Sequence, residues 1–169
     1  MPSFRSLDEL NKHLSKTNGS RVNLSNGMSV MKLMKQEGKR LYDIIQKHIN
    51  TYYASYDPVY YERTYQFMKS LRIEPVKLSG NIASVKIYFD EDLATHHSIM
   101  GGKDGYLPIL LNEGWQWKNG DKSRYHMSFY PGYHFIEKAI KEYNSSNPYG
   151  FKIIVHKEWN GNMIEHKEY

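Results

Sequence analysis

The chain has 169 residues, of which 40% are hydrophobic, no cysteine and a formal net charge of +5 at pH 7. This length and composition suit one soluble domain with its own core, and the lack of cysteine excludes disulfides and thiolate metal sites. No stretch approaches the roughly 18 apolar residues of a membrane span, and the first residues lack the apolar run of a secretory signal. We therefore expect neither membrane insertion nor export.

The basic excess lies in the first half of the chain. Residues 1–80 hold 13 Lys and Arg against 7 Asp and Glu, whereas residues 81–169 hold 10 against 11. Such a bias can attract phosphate or acidic protein surfaces. Because it is spread over two predicted helices without an arginine-rich run, we interpret it as solvated helix faces.

The first 28 residues are predicted to form an arm separate from the body. Ser6 and Glu9 have the spacing of a capping box, which predicts a short helix that ends near Lys16. Asn, Gly and Ser dominate residues 17–29 and indicate a flexible connector. An arm of this kind can become ordered when a partner binds.

A long helix is predicted next, starting after a Ser29 cap and continuing for about 24 residues, or roughly 36 Å. Gly38 in its middle predicts a close packing contact or a bend. Asp57-Pro58 ends the helical region. Apolar residues recur at steps of three and four along the helix: Val30, Leu33, Met34, Leu41, Ile44, Ile45, His48, Ile49 and Tyr52.

The next elements are a helix and a hairpin. A shorter helix is predicted over residues 60–71. The period then changes to strand alternation at Ala83, Val85, Ile87 and Phe89, with a hairpin turn predicted over residues 79–81. Pro75 places the first strand at an edge or a bulge.

In residues 107–130, glycine and proline residues predict a short helix and a hairpin turn. Pro108 and Gly114 enclose one or two predicted helical turns. Asn119-Gly120 predicts a hairpin turn between residues 115–118 and the alternating residues 124–130.

The last elements are a helix and a strand. Pro131-Gly132 precedes a helix with Tyr133, Ile136, Ile140 and Tyr143 on one face, and residues 151–159 alternate as a strand. Residues 161–169 are predicted to be a loose polar tail. The order predicts an α+β fold, in which a long N-terminal helix and further helices pack on a small, mainly antiparallel sheet. The single domain would span residues 29–160.

The candidates for chemistry are weak. His96 and His97 follow three acidic residues, but adjacent histidines diverge on a strand or a helix, so a metal site is not predicted. Residues 100–105 (MGGKDG) resemble a phosphate loop only in Gly and Lys content, since the Ser or Thr after the lysine is missing. His126 and His134 could act as acid and base. Because His134 lies in the predicted helix, we assign it a structural role.

A second functional class is nucleic-acid binding. Lys32, Lys35 and Lys39 share one face of the long helix, with Arg40 beside them. That face opposes the apolar stripe, where charges are expected in any case. No recognised DNA- or RNA-reading motif accompanies them.

Three aromatic segments occur in a distinctive order: residues 57–71 (DPVYYERTYQFMKSL), 107–118 (LPILLNEGWQWK) and 130–144 (YPGYHFIEKAIKEYN). Over about residues 29–145 this order resembles tail-component proteins of the tail-completion, or head–tail joining, family of double-stranded DNA bacteriophages. The corresponding residues are Tyr61, Arg63 and Thr64, then Gly114 and Trp115, then Gly132, Phe135 and Ile136.

The resemblance implies a structural virion protein that is made in the host cytoplasm. Its subunits would form a ring, a hexamer, in the tail or neck, which joins the head connector to the tail while genomic DNA passes through. It implies no catalysis, cofactor, metal or membrane partner. A DNA- or glycan-binding module and a hydrolase remain as alternatives.

Aromatic residues supply the predicted interface. Trp115 and Trp117 share a face if the chain is extended there, and each ring offers roughly 150–250 Å² of contact area. They could also close the core or stack on a sugar. Tyr60, Tyr61 and Arg63 are of types enriched at interface hot spots, although Arg63 could instead pair with a nearby carboxylate such as Glu62 or Asp57.

Overall fold

The computed structural model describes six stretches of the chain: residues 29–55, 65–79, 82–97, 104–116, 129–159 and 162–169. The predicted arm and connector, residues 1–28, lie outside them. Within these stretches, no helix combines the length and apolarity needed to cross a membrane.

Helix α1 is the longest element, Val30–Ala54, and it confirms the strongest sequence prediction. Its N-terminus is capped as predicted, because the Ser29 side chain accepts a hydrogen bond from the Lys32 backbone N–H at 3.2 Å. Gly38 makes the predicted close contact. A Cβ at this position would lie 2.6 Å from Val85 Cγ1, so only glycine lets the chain after β3 approach the helix this closely.

Three shorter α-helices follow within the described residues: α2 is Glu91–Ala94, α3 is Leu107–Glu113 and α4 is Phe135–Asn144. Pro108 lies in the first turn of α3, and Gly114 caps its end with φ of 89°, both as predicted. Helix α4 packs against α1.

In the described stretches, the strands form five two-stranded antiparallel pairs. They are β1 (Leu71–Ile73) with β4 (Ile87–Phe89), β2 (Lys77–Ser79) with β3 (Ile82–Ser84), β5 (Thr95–His96) with β6 (Gly105–Tyr106), β7 (Trp115–Gln116) with β8 (Phe129–Tyr130), and β9 (Ile154–Trp159) with β10 (Asn162–Glu168). The predicted α+β class and antiparallel pairing are confirmed.

The core lies between α1, α4 and the β1–β4 pair. Three phenylalanines form its centre: the ring of Phe67 stacks on Phe89 at 5.4 Å, and the edge of Phe135 meets both. Ile45 and Ile49 of α1 close the cluster from one side. Each strand pair is short, so this cluster supplies the packing that a two-stranded unit lacks on its own.

The predicted helix over residues 60–71 is wrong in the part that the structure describes. Tyr65 has φ of 55°, in the left-handed region, and only Phe67–Lys69 forms a single 3-10 turn. Leu71 starts β1 opposite Phe89. Long-range strand pairing therefore outweighs the local helical spacing of the apolar residues.

One further prediction needs correction: the alternating run over residues 83–89 is divided into β3 and β4, which pair with different strands. The predicted pairing of residues 115–118 with residues 124–130 is confirmed where it is described, because Trp115 of β7 lies opposite Tyr130 of β8. The predicted turn at Asn119-Gly120 lies outside the described residues.

The C-terminal residues 162–168 are not loose. They form β10, which pairs with β9 along its length and contains a bulge between Met163 and Glu165. Asn160-Gly161, between the paired Trp159 and Asn162, is the sequence signal for such a hairpin.

Candidate interaction site

Two glycines bring together the end of α3 and the segment before α4. Gly114 has φ of 89° and Gly132 has φ of 81°, values that a side chain disfavours. A Cβ on Gly114 would lie 2.1 Å from the Tyr130 carbonyl oxygen, and one on Gly132 would lie 2.5 Å from the Asn112 carbonyl oxygen. The two backbones thus touch where neither has room for a methyl group. We call this contact the glycine junction.

Hydrogen bonds complete the glycine junction. The N–H groups of Tyr133 and His134 donate to the carbonyls of Leu111 and Asn112, at 2.8 and 2.9 Å. These bonds satisfy carbonyls that the end of a helix otherwise leaves without partners.

The buried side chain of Asn112 caps α4 from a different segment of the chain. Its Oδ1 accepts from the Ile136 N–H at 2.9 Å, and its Nδ2 donates to Glu137 Oε2 at 2.9 Å. The residue at the N-cap position, His134, makes no side-chain cap bond, has φ of 55° and is exposed. The prediction that His134 lies inside the helix is therefore wrong.

The glycine junction joins two of the three aromatic segments that carry the phage resemblance. The segment with Gly114 and Trp115 is paired through β7 and β8 with the segment that leads into Phe135 and Ile136. Sequence reasoning chose these segments by order, and missed that Asn112 connects them.

The predicted interface residues are described only in part. Tyr60, Tyr61, Arg63 and Trp117 lie outside the described stretches. For Trp115 the backbone is placed, in β7 opposite Tyr130. Their role in an interface stays a prediction.

A polar cluster locks α1 to α4. Arg40 lies over the Tyr143 ring at 4.2 Å, and it donates to Glu37 at 2.9 Å and to Ser146 at 2.7 Å. The Tyr143 hydroxyl also donates to Glu37, at 3.0 Å. Burial, reinforced by the hydrogen bond to Glu37, raises the pKa of Tyr143 to about 12.

A second polar contact lies further along the same helix pair. Glu142 accepts from Lys47 at 2.8 Å and lies 3.0 Å from His48 Nε2. The Lys47 hydrogen bond is the main reason that the pKa of Glu142 is below its ordinary value, and His48 lowers it further. These charged groups hold α1 against α4 and therefore have a structural role.

The basic face of α1 is exposed. Lys32, Lys35 and Lys39 all face solvent, with Lys39 beside Asp43. Arg40 differs from the sequence-based grouping, because its guanidinium is turned toward Tyr143.

Two hairpins display aliphatic side chains to solvent. In β2–β3 the exposed fractions are 39% for Leu78 and 69% for Ile82. In β9–β10 they are 47% for Ile154, 54% for Met163 and 56% for Ile164. Among the described strands, each hairpin pairs only with itself, so its outer edges have no described strand partner.

Lys157 attaches the C-terminal hairpin to the body. Its ammonium contacts Glu113 at the end of α3 and Glu165 on the neighbouring strand. Burial alone would lower the pKa of Lys157, but the hydrogen bonds to the two carboxylates outweigh it and raise that pKa. The hairpin is therefore joined to the same helix end that forms the glycine junction.

The candidates for chemistry do not converge in the described stretches. His97 lies 2.9 Å from Asp104, an exposed pair, whereas His126 lies outside these stretches. No group of three or more His, Cys, Asp or Glu side chains in these stretches has the arrangement of a metal site.

Comparison with protein families shows a match to the family model described as YomN, over residues 6–154. The chain belongs to the YomN family. This family is named for a protein of a Bacillus phage region, which makes the chain a phage-associated protein. Searches of curated proteins and of solved structures found no match.

The YomN match has a boundary in the fold. It includes α1, the core and the glycine junction, and it ends at Ile154, the first residue of β9. The rest of the C-terminal hairpin, after Ile154, lies outside the matched residues.

Proposed function

We propose that the protein is a structural component of the phage particle. Its subunits assemble into a ring, a hexamer, in the tail or neck, and the ring joins the head connector to the tail and lets genomic DNA pass. The proposal narrows the phage association of the YomN family to one place in the particle. It assigns no catalysis and no cofactor.

The observation that carries the proposal is the pair of exposed hairpins. Leu78 and Ile82 on one, and Ile154, Met163 and Ile164 on the other, are large aliphatic side chains at 39% exposure or more. Single exposed aliphatics are common, but two or three on each of two strand pairs whose outer edges have no described strand partner favour association with another chain.

The two hairpins give the subunit two different surfaces, one in the β2–β3 region and one at the C-terminus. Contact between unlike surfaces of successive copies is the type of interface that closes into a ring. The predicted aromatic contacts, Tyr60, Tyr61, Arg63, Trp115 and Trp117, belong to the same proposal as additional interface residues.

The test is assembly of the full-length chain. We expect mass measurement in solution to show an oligomer, and electron microscopy of phage particles to place it in the tail or neck. Ile82→Asp and Ile164→Asp should each lower the oligomer fraction at least about tenfold, since each puts a charge into an apolar contact. Asn50→Asp, an exposed change on α1, is the matched control and should assemble normally.

Two results would contradict the proposal. One is a chain that stays monomeric at every concentration and is missing from purified particles. The other is a set of hairpin variants that assemble as well as the Asn50→Asp protein.

DNA binding is the second candidate, because Lys32, Lys35 and Lys39 are exposed on one face of α1. Replacing all three by Gln should then abolish a DNA affinity that falls steeply with salt. An affinity that survives this change would remove the candidate.

A further inference from the structure

The C-terminal hairpin has two unlike faces. Strand residues alternate between faces, so Lys157, which contacts Glu113, marks the face toward the body. The opposite face carries Ile154, His156 and Glu158 on β9, and their partners on β10. All of its described side chains are exposed. This outward face contains two histidines directly across from each other.

The register places these histidines where side chains of a hairpin come closest. Ile153 and Tyr169 exchange both backbone hydrogen bonds, at 3.3 and 2.9 Å. Bonded and non-bonded pairs alternate along an antiparallel ladder, so the pair His156 and His166 is a non-bonded one. In such pairs the side chains are nearer to each other than in bonded pairs.

The ring nitrogens are separated by a distance that matches a metal chelate. His156 Nδ1 lies 3.4 Å from His166 Nδ1, and the ring centroids are 4.7 Å apart. Two metal–nitrogen bonds of about 2.0–2.1 Å that meet at a tetrahedral angle span roughly 3.4 Å. The separation of the two nitrogens therefore fits one metal ion bound by both.

A carboxylate lies near the other nitrogen of one histidine ring. Glu168 Oε1 lies 3.8 Å from His166 Nε2, the nitrogen that a metal ion on Nδ1 would leave free. Metal-bound histidines commonly have a carboxylate beside this second nitrogen.

We propose that His156 and His166 form a two-histidine site for a late first-row dication of the Zn²⁺ and Ni²⁺ class. Imidazole nitrogen suits these ions. The pair supplies two ligands on an exposed face, and water fills the remaining coordination positions. Bound metal bridges β9 and β10 at their middle and so stabilises the hairpin.

The experiment titrates the untagged full-length chain with Zn²⁺, and separately with Ni²⁺, by calorimetry. We expect the parent chain to bind one ion at this site. His156→Ala and His166→Ala should each lower the affinity for that ion at least about tenfold. His96→Ala, an exposed histidine on β5, is the matched control and should bind like the parent.

Hydrogen exchange locates the ion. Zn²⁺ should slow exchange of the β9 and β10 amides in the parent and in His96→Ala, and chelation should reverse this. His166→Asn is a second variant, with a polar side chain, for the case in which alanine separates the two strands. In this variant, Zn²⁺ should leave the exchange rates of the β9 and β10 amides unchanged.

The proposal is overturned if neither ion binds up to about 1 mM, or if the two histidine variants bind as tightly as His96→Ala. It is also overturned by a third result: without metal, the variants exchange their β9 and β10 amides faster than the parent does, and Zn²⁺ does not slow this exchange in the parent. The two rings would then only share a hydrogen bond.

Discussion

The helical body and the C-terminal hairpin use their polar and apolar groups in opposite ways. In the body, Arg40, Glu37 and Tyr143 bind one another between α1 and α4, and the aromatic rings pack inside. On the hairpin, aliphatic and histidine side chains lie on an outward face that the body does not cover. The body therefore uses these groups in contacts within the fold, whereas the hairpin leaves them exposed.

The largest expected effect is at the glycine junction. Gly132→Ala should reduce the free energy of unfolding by at least about 3 kcal/mol, because the new methyl group meets backbone atoms and the residue has positive φ. Urea unfolding measures this. Gly150→Ala, at an exposed glycine with φ of 59°, is the control and should lose only about 1 kcal/mol. Equal losses would mean that the body does not depend on the junction.

A medium effect is expected at Tyr143. At neutral pH, Tyr143→Phe should cost about 1 kcal/mol, the value of its hydrogen bond to Glu37. Because the folded-state pKa is raised from 10 to about 12, the parent keeps its full stability below pH 10 and loses part of it as the pH rises to about 12. The difference in free energy of unfolding between the parent and Tyr143→Phe should therefore become smaller over that range. Thermal unfolding at several pH values measures this difference.

Tyr106 provides the comparison for this pH effect, since burial raises its pKa to about 12 as well. Tyr143→Phe should for that reason remove only the part of the stability loss at alkaline pH that comes from Tyr143. The part that comes from Tyr106 should remain. A gap that stays constant up to pH 12 would contradict the assignment to Tyr143.

The smallest effect on global stability is expected where the two regions join. Lys157→Ala should change the free energy of unfolding by less than about 1 kcal/mol, because its ion pairs are near the surface. It should nevertheless speed hydrogen exchange of the β9 and β10 amides. Lys152→Ala, which removes an exposed and longer ion pair to Glu168, is the control. Unchanged exchange in Lys157→Ala would show that other contacts hold the hairpin.

The sequence predicted the local features of the fold well. Ser29 marked the start of α1, Gly38 marked its close contact, and Pro108 with Gly114 marked α3, since each of these signals acts over a few residues. The failures involve distant partners. Leu71 and Tyr65 were assigned to a helix because their spacing is helical, but the pairing of Leu71 with Phe89 decides the structure.

The candidate site was predictable only in outline. Sequence patterns singled out the segments around Gly114 and Gly132, but nothing local showed that these glycines touch or that Asn112 connects the segments. Residues 151–159 were predicted as a strand, whereas residues 161–169 were predicted to be loose because they are polar, although Asn160-Gly161 is a local signal for a hairpin. The pairing of His156 with His166 requires the register, which the bulge in β10 shifts.

The cap that Asn112 provides has a consequence for synthesis. Helix α4 is less stable without the Asn112 amide that caps its first turn. Since Asn112 emerges from the ribosome ahead of α4, its partner is already present when that segment appears, and the order of translation matches the order in which these contacts can be made.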